Sequence, residues 1–339
     1  MAGLAPIRRT WSGLLPVPGN SGEFEWDGYI PLDELPHLYN PPTHFIATAN
    51  NKVIPEDYKY DIGFEWASPY RVRRIEEVLF SKSDWTVSDF ERLQLDELSL
   101  PARELVPLLS EVKVDDRDVK DFIELLINWD KKLSKDSAAA ALFEVWVTKL
   151  IQNVFKPLVT DDAWRLINKQ IPVPVLINYL KEKKGQSLVL NRSSKNRILI
   201  KSLIEAAQYL SAQVGNDFKE WNWGKLHIAQ FRHFLSHDEA TRSLFDLKSV
   251  SCGGDIDTVN GTSGENFRVT IGASYRQIID FNDWDNSFAV NAPGQSGQPG
   301  SQHYGDLLSM WAEGKYFPLL FGREAVEKNA KQRLILVPK

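Results

Sequence analysis

Asn50, Asn51 and Arg71 are the residues of this chain whose types and placement suit chemistry. The two amides close the uncharged run Phe45-Ile46-Ala47-Thr48-Ala49, which follows Asn40-Pro41-Pro42. Proline lacks an N–H and pushes its predecessor into extended geometry, so a strand is expected only after that turn, over Phe45–Ala49. Small side chains at Ala47, Thr48 and Ala49 suit a strand with another backbone or a ligand lying close against it. A side-chain amide fixed at the end of a buried strand can donate an N–H to a developing oxyanion, one of the larger single contributions to acyl-transfer catalysis. On spacing alone, Asn50-Asn51 reads first as a plain turn after a strand.

Arg71 poses a different question. Ser68 as N-cap and Pro69 at the first helical position predict a helix that starts there and runs through Ile75, Val78 and Leu79. Arg71, Arg73 and Arg74 then stand in or beside its first turn, where the helix dipole disfavours each cation by roughly a few tenths of a kcal/mol. A partner should offset that. Glu76 and Glu77 are in reach of Arg73 and Arg74, and less so of Arg71.

These residues carry a resemblance. Phe45-Ile-Ala-Thr-Ala-Asn-Asn-Lys52, Leu15-Pro-Val-Pro-Gly19 with Glu25-Trp26, Tyr70-Arg71-Val72, and Ala292-Pro-Gly-Gln-Ser-Gly297 with His303-Tyr304 resemble the C-terminal part of the β chain in the penicillin acylase (penicillin amidase) family. Order and spacing agree over nearly the whole chain. The resemblance implies an N-terminal nucleophile hydrolase, in which autocatalytic cleavage frees a serine whose own α-amino group is the base. It places the oxyanion donor on Asn50, its supporting arginine on Arg71, and one ligand of a structural calcium ion (Ca2+) on Asp61. It also implies a heterodimer cut from one precursor, a periplasmic or extracytoplasmic location, and N-acyl substrates: penicillins or, in a related branch, acyl-homoserine lactones.

One departure shapes the expectation. The opening Met1-Ala2-Gly3-Leu4-Ala5-Pro6 corresponds to the middle of the family's β chain, and no internal serine stands in the family's nucleophile context. The expected object is a C-terminal piece, a truncation or one half of a split gene, inactive alone and with an incomplete calcium site. Its partners would be the family's α chain and the N-terminal part of the β chain. The alternative is a non-catalytic fragment or interaction subunit that keeps only the fold.

The elements that must position these residues fall into three stretches. Residues 1–79 read as sheet-contributing, with Phe24 and Trp26 facing inward from an alternating Glu23–Trp26. Residues 80–245 read as helical. Val119, Phe122, Ile123, Leu126 and Trp129 follow helical spacing, as do Leu142, Phe143, Trp146, Leu150 and Val154. A third helix, capped at Ser193-Ser194, carries Ile198, Ile200, Leu203, Ile204, Ala207 and Leu210. Residues 246–339 return to a period of two: a long strand or kinked hairpin over Phe267–Asp280, a neighbour at Phe288–Asn291 and a closing strand at Leu334–Val337. With no repeating β-α alternation the class is α+β. The resemblance makes this the C-terminal part of an αββα four-layer sandwich with a helical middle region.

Composition narrows the rest. The 339 residues are 43% hydrophobic and 25% charged, an ordinary globular balance. A net charge of −5 with an isoelectric point near 5.8 offers no footprint for nucleic acid or an anionic membrane. The single Cys252 excludes an internal disulfide and a cysteine metal cluster. No apolar run approaches the roughly 20 residues of a membrane span, and Met1–Thr10 has no signal-peptide core. His233 and His237 lie one helical turn apart, but Phe234 stands where a zinc protease has its glutamate. Asp280, Asp283 and Asp285 read as turn charges, since Phe288 occupies the place of an EF-hand glycine.

Overall fold

Residues 3–168, 171–181 and 192–338 are described in the computed structural model of the chain. Two units separate, Met1–Leu79 and Phe80–Lys339. In the first, β1 (Pro6–Arg8) pairs antiparallel with β2 (Trp26–Tyr29), and the unit ends in helix α1 (Tyr70–Leu79). Its core is small: Ala5, Ile30 and Leu35, with Ile7, Tyr60 and Ile62 packed against them.

Three expectations for this unit need correction. Trp26 lies 57% exposed rather than inward: every residue of β2 is exposed, since a two-stranded ribbon has no second layer to bury either face of that strand. Phe45–Ala49 is not a strand: a strand is defined by its ladder partner, and none of the described residues pairs with it. The helix cap is displaced by one position. Ser68 Oγ accepts from the Tyr70 N–H at 3.3 Å, while the Pro69 carbonyl accepts the helix's first backbone bond, from Arg73 at 3.0 Å.

The second unit is helical before it is stranded. It contains α2 (Val87–Gln94), α3 (Leu100–Leu105), α4 (Arg117–Ile127), α5 (Ala138–Phe155), α6 (Asp161–Ile167), α7 (Val173–Lys181) and α8 (Arg192–Gln213). Beyond these come α9 (Glu239–Phe245), α10 (Leu308–Ala312) and α11 (Arg323–Asn329). Most starts are set locally. Thr86, Ser99, Asp116, Ser137, Thr160 and Asp238 each accept, through the side chain, from the backbone N–H three residues on. Each such cap contributes about 1 kcal/mol.

Helix α5 is the centre of the unit. Leu142, Phe143, Val145, Trp146, Val147, Leu150 and Val154 are all buried, so the helix is enclosed around most of its circumference rather than along one stripe. It packs lengthwise on α8, whose buried residues are Leu199, Ser202, Leu203, Ala206, Ala207 and Leu210. Two polar contacts stitch the pair: Trp146 Nε1 donates to the Leu199 carbonyl at 3.1 Å, and Asn153 Nδ2 donates to Ser202 Oγ and Glu205 Oε2 at 3.0 and 2.7 Å. Ser193 and Ser194 lie inside α8 rather than ahead of it.

The strands of this unit are short and antiparallel. β3 (Ile228–Ala229) pairs with β4 (Val250–Ser251), and β5 (Thr262–Ser263) with β6 (Ile271–Gly272). β7 (Tyr275–Ile278), β8 (Ser287–Asn291) and β9 (Phe317–Leu319) form a three-stranded sheet in that order. Helices with these small sheets make the chain α+β. The long strand expected over Phe267–Asp280 is interrupted. Phe267 has φ +65°, outside any strand geometry; within the stretch β6 pairs with β5, β7 with β8, and Val269 makes an isolated bridge to Ala229. Within β7 the alternation holds, burying Arg276 and Ile278. Arg276 donates to the Trp311 carbonyl at 3.0 Å and to Asn260 Oδ1 at 3.2 Å, and lies over the Trp311 ring. The turn carboxylates work as anchors: Asp280 Oδ1 accepts from the Asn282 N–H, and Asp285 Oδ1 from those of Phe321 and Gly322. Leu334–Val337, expected as a closing strand, is irregular and exposed, with no ladder partner among the described residues.

Because Trp146 is fully buried between α5 and α8, Trp146→Ala should destabilise the 80–339 unit by about 3–5 kcal/mol. Urea unfolding followed by far-ultraviolet circular dichroism measures this, and a change under about 1 kcal/mol would contradict the packing described.

Candidate functional site

Asn50 and Arg71 meet. Asn50 has φ +62°, the left-handed region that asparagine tolerates better than other residues with a Cβ. Its carbonyl accepts from the Ala67 N–H at 2.9 Å, which ties the turn to the segment entering α1. Arg71 Nη2 donates to Asn50 Oδ1 at 2.9 Å. A guanidinium can only donate, so the amide atom facing it must be the oxygen, and that settles which way the amide is turned. The two Nδ2 hydrogens of the exposed Asn50 are thereby presented to another acceptor, with a cation drawing charge from the amide oxygen. This contact also supplies the partner that a cation at a helix start needs. Arg74 pairs instead with Glu77 at 3.0 Å, and Arg73 lies over the Tyr70 ring.

Asn51 has a different task. Its Oδ1 accepts from the Ala49 N–H at 3.0 Å and its Nδ2 donates to the Lys52 carbonyl at 3.0 Å. The side chain therefore bridges the backbone on either side of Asn50 and holds the turn. The two amides diverge because of this turn.

Asp61 is exposed, and the structure gives it no contact with Asn50 or Arg71. Among the described residues no group of three histidines, cysteines or carboxylates is placed to hold a metal ion. Calcium takes six to eight oxygens, so the residues present do not fit a complete site. Asp61 can offer one ligand. His233 and His237 likewise join no such group.

The penicillin amidase family model matches residues 1–328. This chain belongs to the penicillin amidase family. It is 28% identical over 371 residues to acyl-homoserine lactone acylase QuiP of Pseudomonas syringae pv. tomato, covering 100% of this chain and 44% of that protein. It is 30% identical over 350 residues to the penicillin acylase 2 proenzyme of a Pseudomonas species, covering 98% of this chain and 44% of the relative. Penicillin G acylase of Escherichia coli is 23% identical over 368 residues, 95% of this chain and 41% of that enzyme. The chain thus spans under half the length of these relatives. Among solved structures, a thermostable penicillin G acylase from Alcaligenes faecalis superposes with a TM-score of 0.66 at 19% identity, over 99% of this chain and 64% of that one, and so shares the fold. No helix among the described residues is long and apolar enough to cross a membrane.

A second group of polar residues was not legible from spacing. Within the 80–339 unit, a cavity of about 570 Å3 is lined by α5 and by the loops around 252–267. Glu144, the single carboxylate of α5, hydrogen-bonds there to Asp255, which requires a proton on one of them. Asp257 stands beside the pair. Burial first, and then the like charges of Asp255 and Asp257, raise Glu144 well above the usual carboxylate range. Burial and Asp257 push Asp255 up to about 7. On the same wall the buried His227 stacks on Trp223 at 4.3 Å, donates from Nδ1 to the Phe267 carbonyl at 2.8 Å, and is lowered to about 4 by burial. The available signal was the one acidic residue in a mostly apolar helix, with an Asp-Ile-Asp elsewhere in the chain.

The two kinds of shift act oppositely on stability. A raised carboxyl stabilises the fold below its unfolded value near 3.8 and loses that contribution as pH climbs to about 7. His227, held neutral, instead loses stability as pH falls from 6.5 to about 4. The difference between the parent and Asp255→Asn isolates the first. Asp255→Asn should gain stability relative to the parent progressively from pH 4 to pH 7, measured by urea unfolding across that range. A pH-independent difference would contradict the assignment.

Proposed function

We propose that this chain carries the oxyanion-stabilising part of a hydrolase cleaving linear amide bonds of N-acyl compounds, penicillins or acyl-homoserine lactones. The observation behind this reading is the Arg71 Nη2 to Asn50 Oδ1 contact at 2.9 Å, which turns the amide so that Nδ2 faces outward. The printed names of the relatives, a penicillin acylase proenzyme and an acyl-homoserine lactone acylase, support the reaction class.

In this reading an N-terminal serine supplied from the part of the family that the chain does not span attacks the carbonyl carbon, with its own α-amino group taking the proton. As the carbonyl oxygen becomes negative, Asn50 Nδ2 donates to it. Arg71 holds the amide plane and adds positive potential. The acyl-enzyme forms, the amine leaves, and water releases the acid. The partners are the family's α chain and the N-terminal part of the β chain, from one precursor and in an extracytoplasmic compartment. Asp61 gives one carboxylate to a structural calcium ion whose other oxygens come from those partners. Exposed apolar residues of the first unit, Leu15 at 75%, Tyr39 at 87% and Ile46 at 60%, supply a surface for such association.

Asn50→Asp is the discriminating change, since it keeps the oxygen facing Arg71 and deletes both donors. With the family's remaining portion joined to this chain, turnover should fall on the order of 10² to 10³-fold with folding intact, as for loss of one oxyanion donor. Unchanged turnover would remove Asn50 from the mechanism and leave the non-catalytic alternative. Asn51→Ala is expected to lower turnover less, through a loosened turn. The chain by itself should hydrolyse no phenylacetyl, phenoxyacetyl or long-chain acyl amide above background. Calcium titrated into the chain alone should bind only weakly by calorimetry; micromolar binding would show that the ligand set had been misplaced.

A further inference from the structure

We infer, on the partner reading given above, that Arg8 and Trp11 form a docking point for one carboxylate side chain, an aspartate or glutamate on the portion of the family's proteins that this chain does not span. Arg8 Nε and Trp11 Nε1 are both buried, and neither N–H meets an acceptor among the described residues. The Arg8 guanidinium lies over the Trp11 ring, 5.5 Å from its centroid, so the two orphan donors belong to one place.

Both donors call for an anion. A guanidinium and an indole N–H can only donate, so neither can answer the other. A buried donor left unpaired destabilises the fold, and an acceptor that arrives with a partner removes that cost. Arg9, the next residue, is already paired with Asp27, whereas no described carboxylate pairs with Arg8. A planar guanidinium meets a carboxylate in two parallel hydrogen bonds, so one such cation matches one such group. A polyanion fits less well, because Glu23 and Glu25 lie exposed on the run into β2 and the chain as a whole carries −5. Gly13 has φ +84°, and a Cβ there would come within 2.7 Å of Arg8 Nε, so the turn after Trp11 closes on the guanidinium and holds it in place. The pair is covered rather than sealed: Arg8 and Trp11 each keep part of their surface, through which a carboxylate reaches them.

The surroundings are those of an interface. Arg8 stands opposite Trp26 across the β1–β2 ribbon, and every residue of β2 is exposed. Trp26 and Tyr29 meet edge to face at 6.2 Å, and Leu14 and Leu15 lie exposed in the loop after Trp11. Arginine, tryptophan and tyrosine are the residues on which interfaces concentrate their energy, and apolar groups around a central polar contact strengthen it by excluding water. The chain spans 44% of the acyl-homoserine lactone acylase and of the penicillin acylase 2 proenzyme, so in proteins of this family more than half of the molecule remains to cover such a ribbon.

The test coexpresses the full 339-residue chain with a second polypeptide, the portion of the Pseudomonas penicillin acylase 2 proenzyme that it does not match, and quantifies how much of the second copurifies with the first. The two should copurify. Arg8→Gln and Trp11→Phe, checked for folding by circular dichroism, should each lower the copurified amount at least about tenfold, the loss expected for one charge-assisted hydrogen bond, while Arg9→Gln should leave it unchanged. In the Arg8→Lys variant a water-soluble carbodiimide should join the new amine, as an amide with loss of water, to an aspartate or glutamate of the second polypeptide, located by mass spectrometry. Failure of the parent chain to copurify would remove the partner reading and this inference with it. Copurification undiminished in both Arg8→Gln and Trp11→Phe would overturn the inference alone, as would a link from position 8 to Glu23, to Glu25 or to a second copy of this chain. Saturable acetate binding by the chain alone, lost in Arg8→Gln, would make this a site for free carboxylates and overturn it too. Should neither variant fold, the position of the carbodiimide link decides, because Arg8→Lys keeps the cation.

Discussion

The near-complete burial of α5 is the constraint on which the larger unit depends. A polar side chain on the enclosed faces of such a helix cannot reach water, so it must be met by another element; only Thr148 and Gln152 lie exposed. Trp146 is met by the Leu199 carbonyl, Asn153 by Ser202 and Glu205, and Glu144 by Asp255. The first two contacts fix α8 along α5. The third ties α5 to the tight loop at 254–260, and with it the wall of the acidic cavity. Packing and polar satisfaction therefore select the same arrangement, which is how a sequence specifies one structure rather than several.

The first unit rests on a different economy. Its core is three buried residues and their neighbours, and the geometry around Asn50 is held by hydrogen bonds instead. Asn50 serves twice, its backbone adopting a left-handed turn and its side chain accepting from Arg71. Asn51 braces that turn from both sides. An oxyanion donor must be oriented before the reaction, because reorientation during it would consume the stabilisation the donor provides. In the proposed role, a short network of amide, guanidinium and backbone would supply that orientation without a sheet around it.

Much of the helical middle was legible from spacing. Val119, Ile123 and Leu126 are buried as their period requires, and so is the whole set Leu142, Phe143, Trp146, Leu150 and Val154; Trp129 is buried too, but beyond the end of α4. Side chains three and four apart share a face whatever the rest of the chain does, and cap residues bond to their own helix. Strands were read less well. Phe45–Ala49 and Leu334–Val337 have strand-like composition and no ladder partner, while Phe267 sits at a positive φ inside what looked like one long strand. A strand is a relation between two segments, and periodicity within one segment does not reveal whether the other is present.

The site divides along the same line. Sequence alone determined the candidates Asn50 and Arg71, through a strand-end amide, a cation set against a helix dipole, and the resemblance those residues carry. That they touch, that the amide oxygen faces the guanidinium, and that Asn51 is spent on the turn were decided only by tertiary structure, because each depends on a backbone twist at Asn50 that no side-chain pattern encodes. The acidic cavity belongs wholly to that second category. Glu144 and Asp255 are 111 residues apart by their numbering, and nothing in either neighbourhood specifies the other. Their meeting follows from where a buried helix and a glycine turn come to rest, and the cost of placing two carboxyls together is visible only once both are in place.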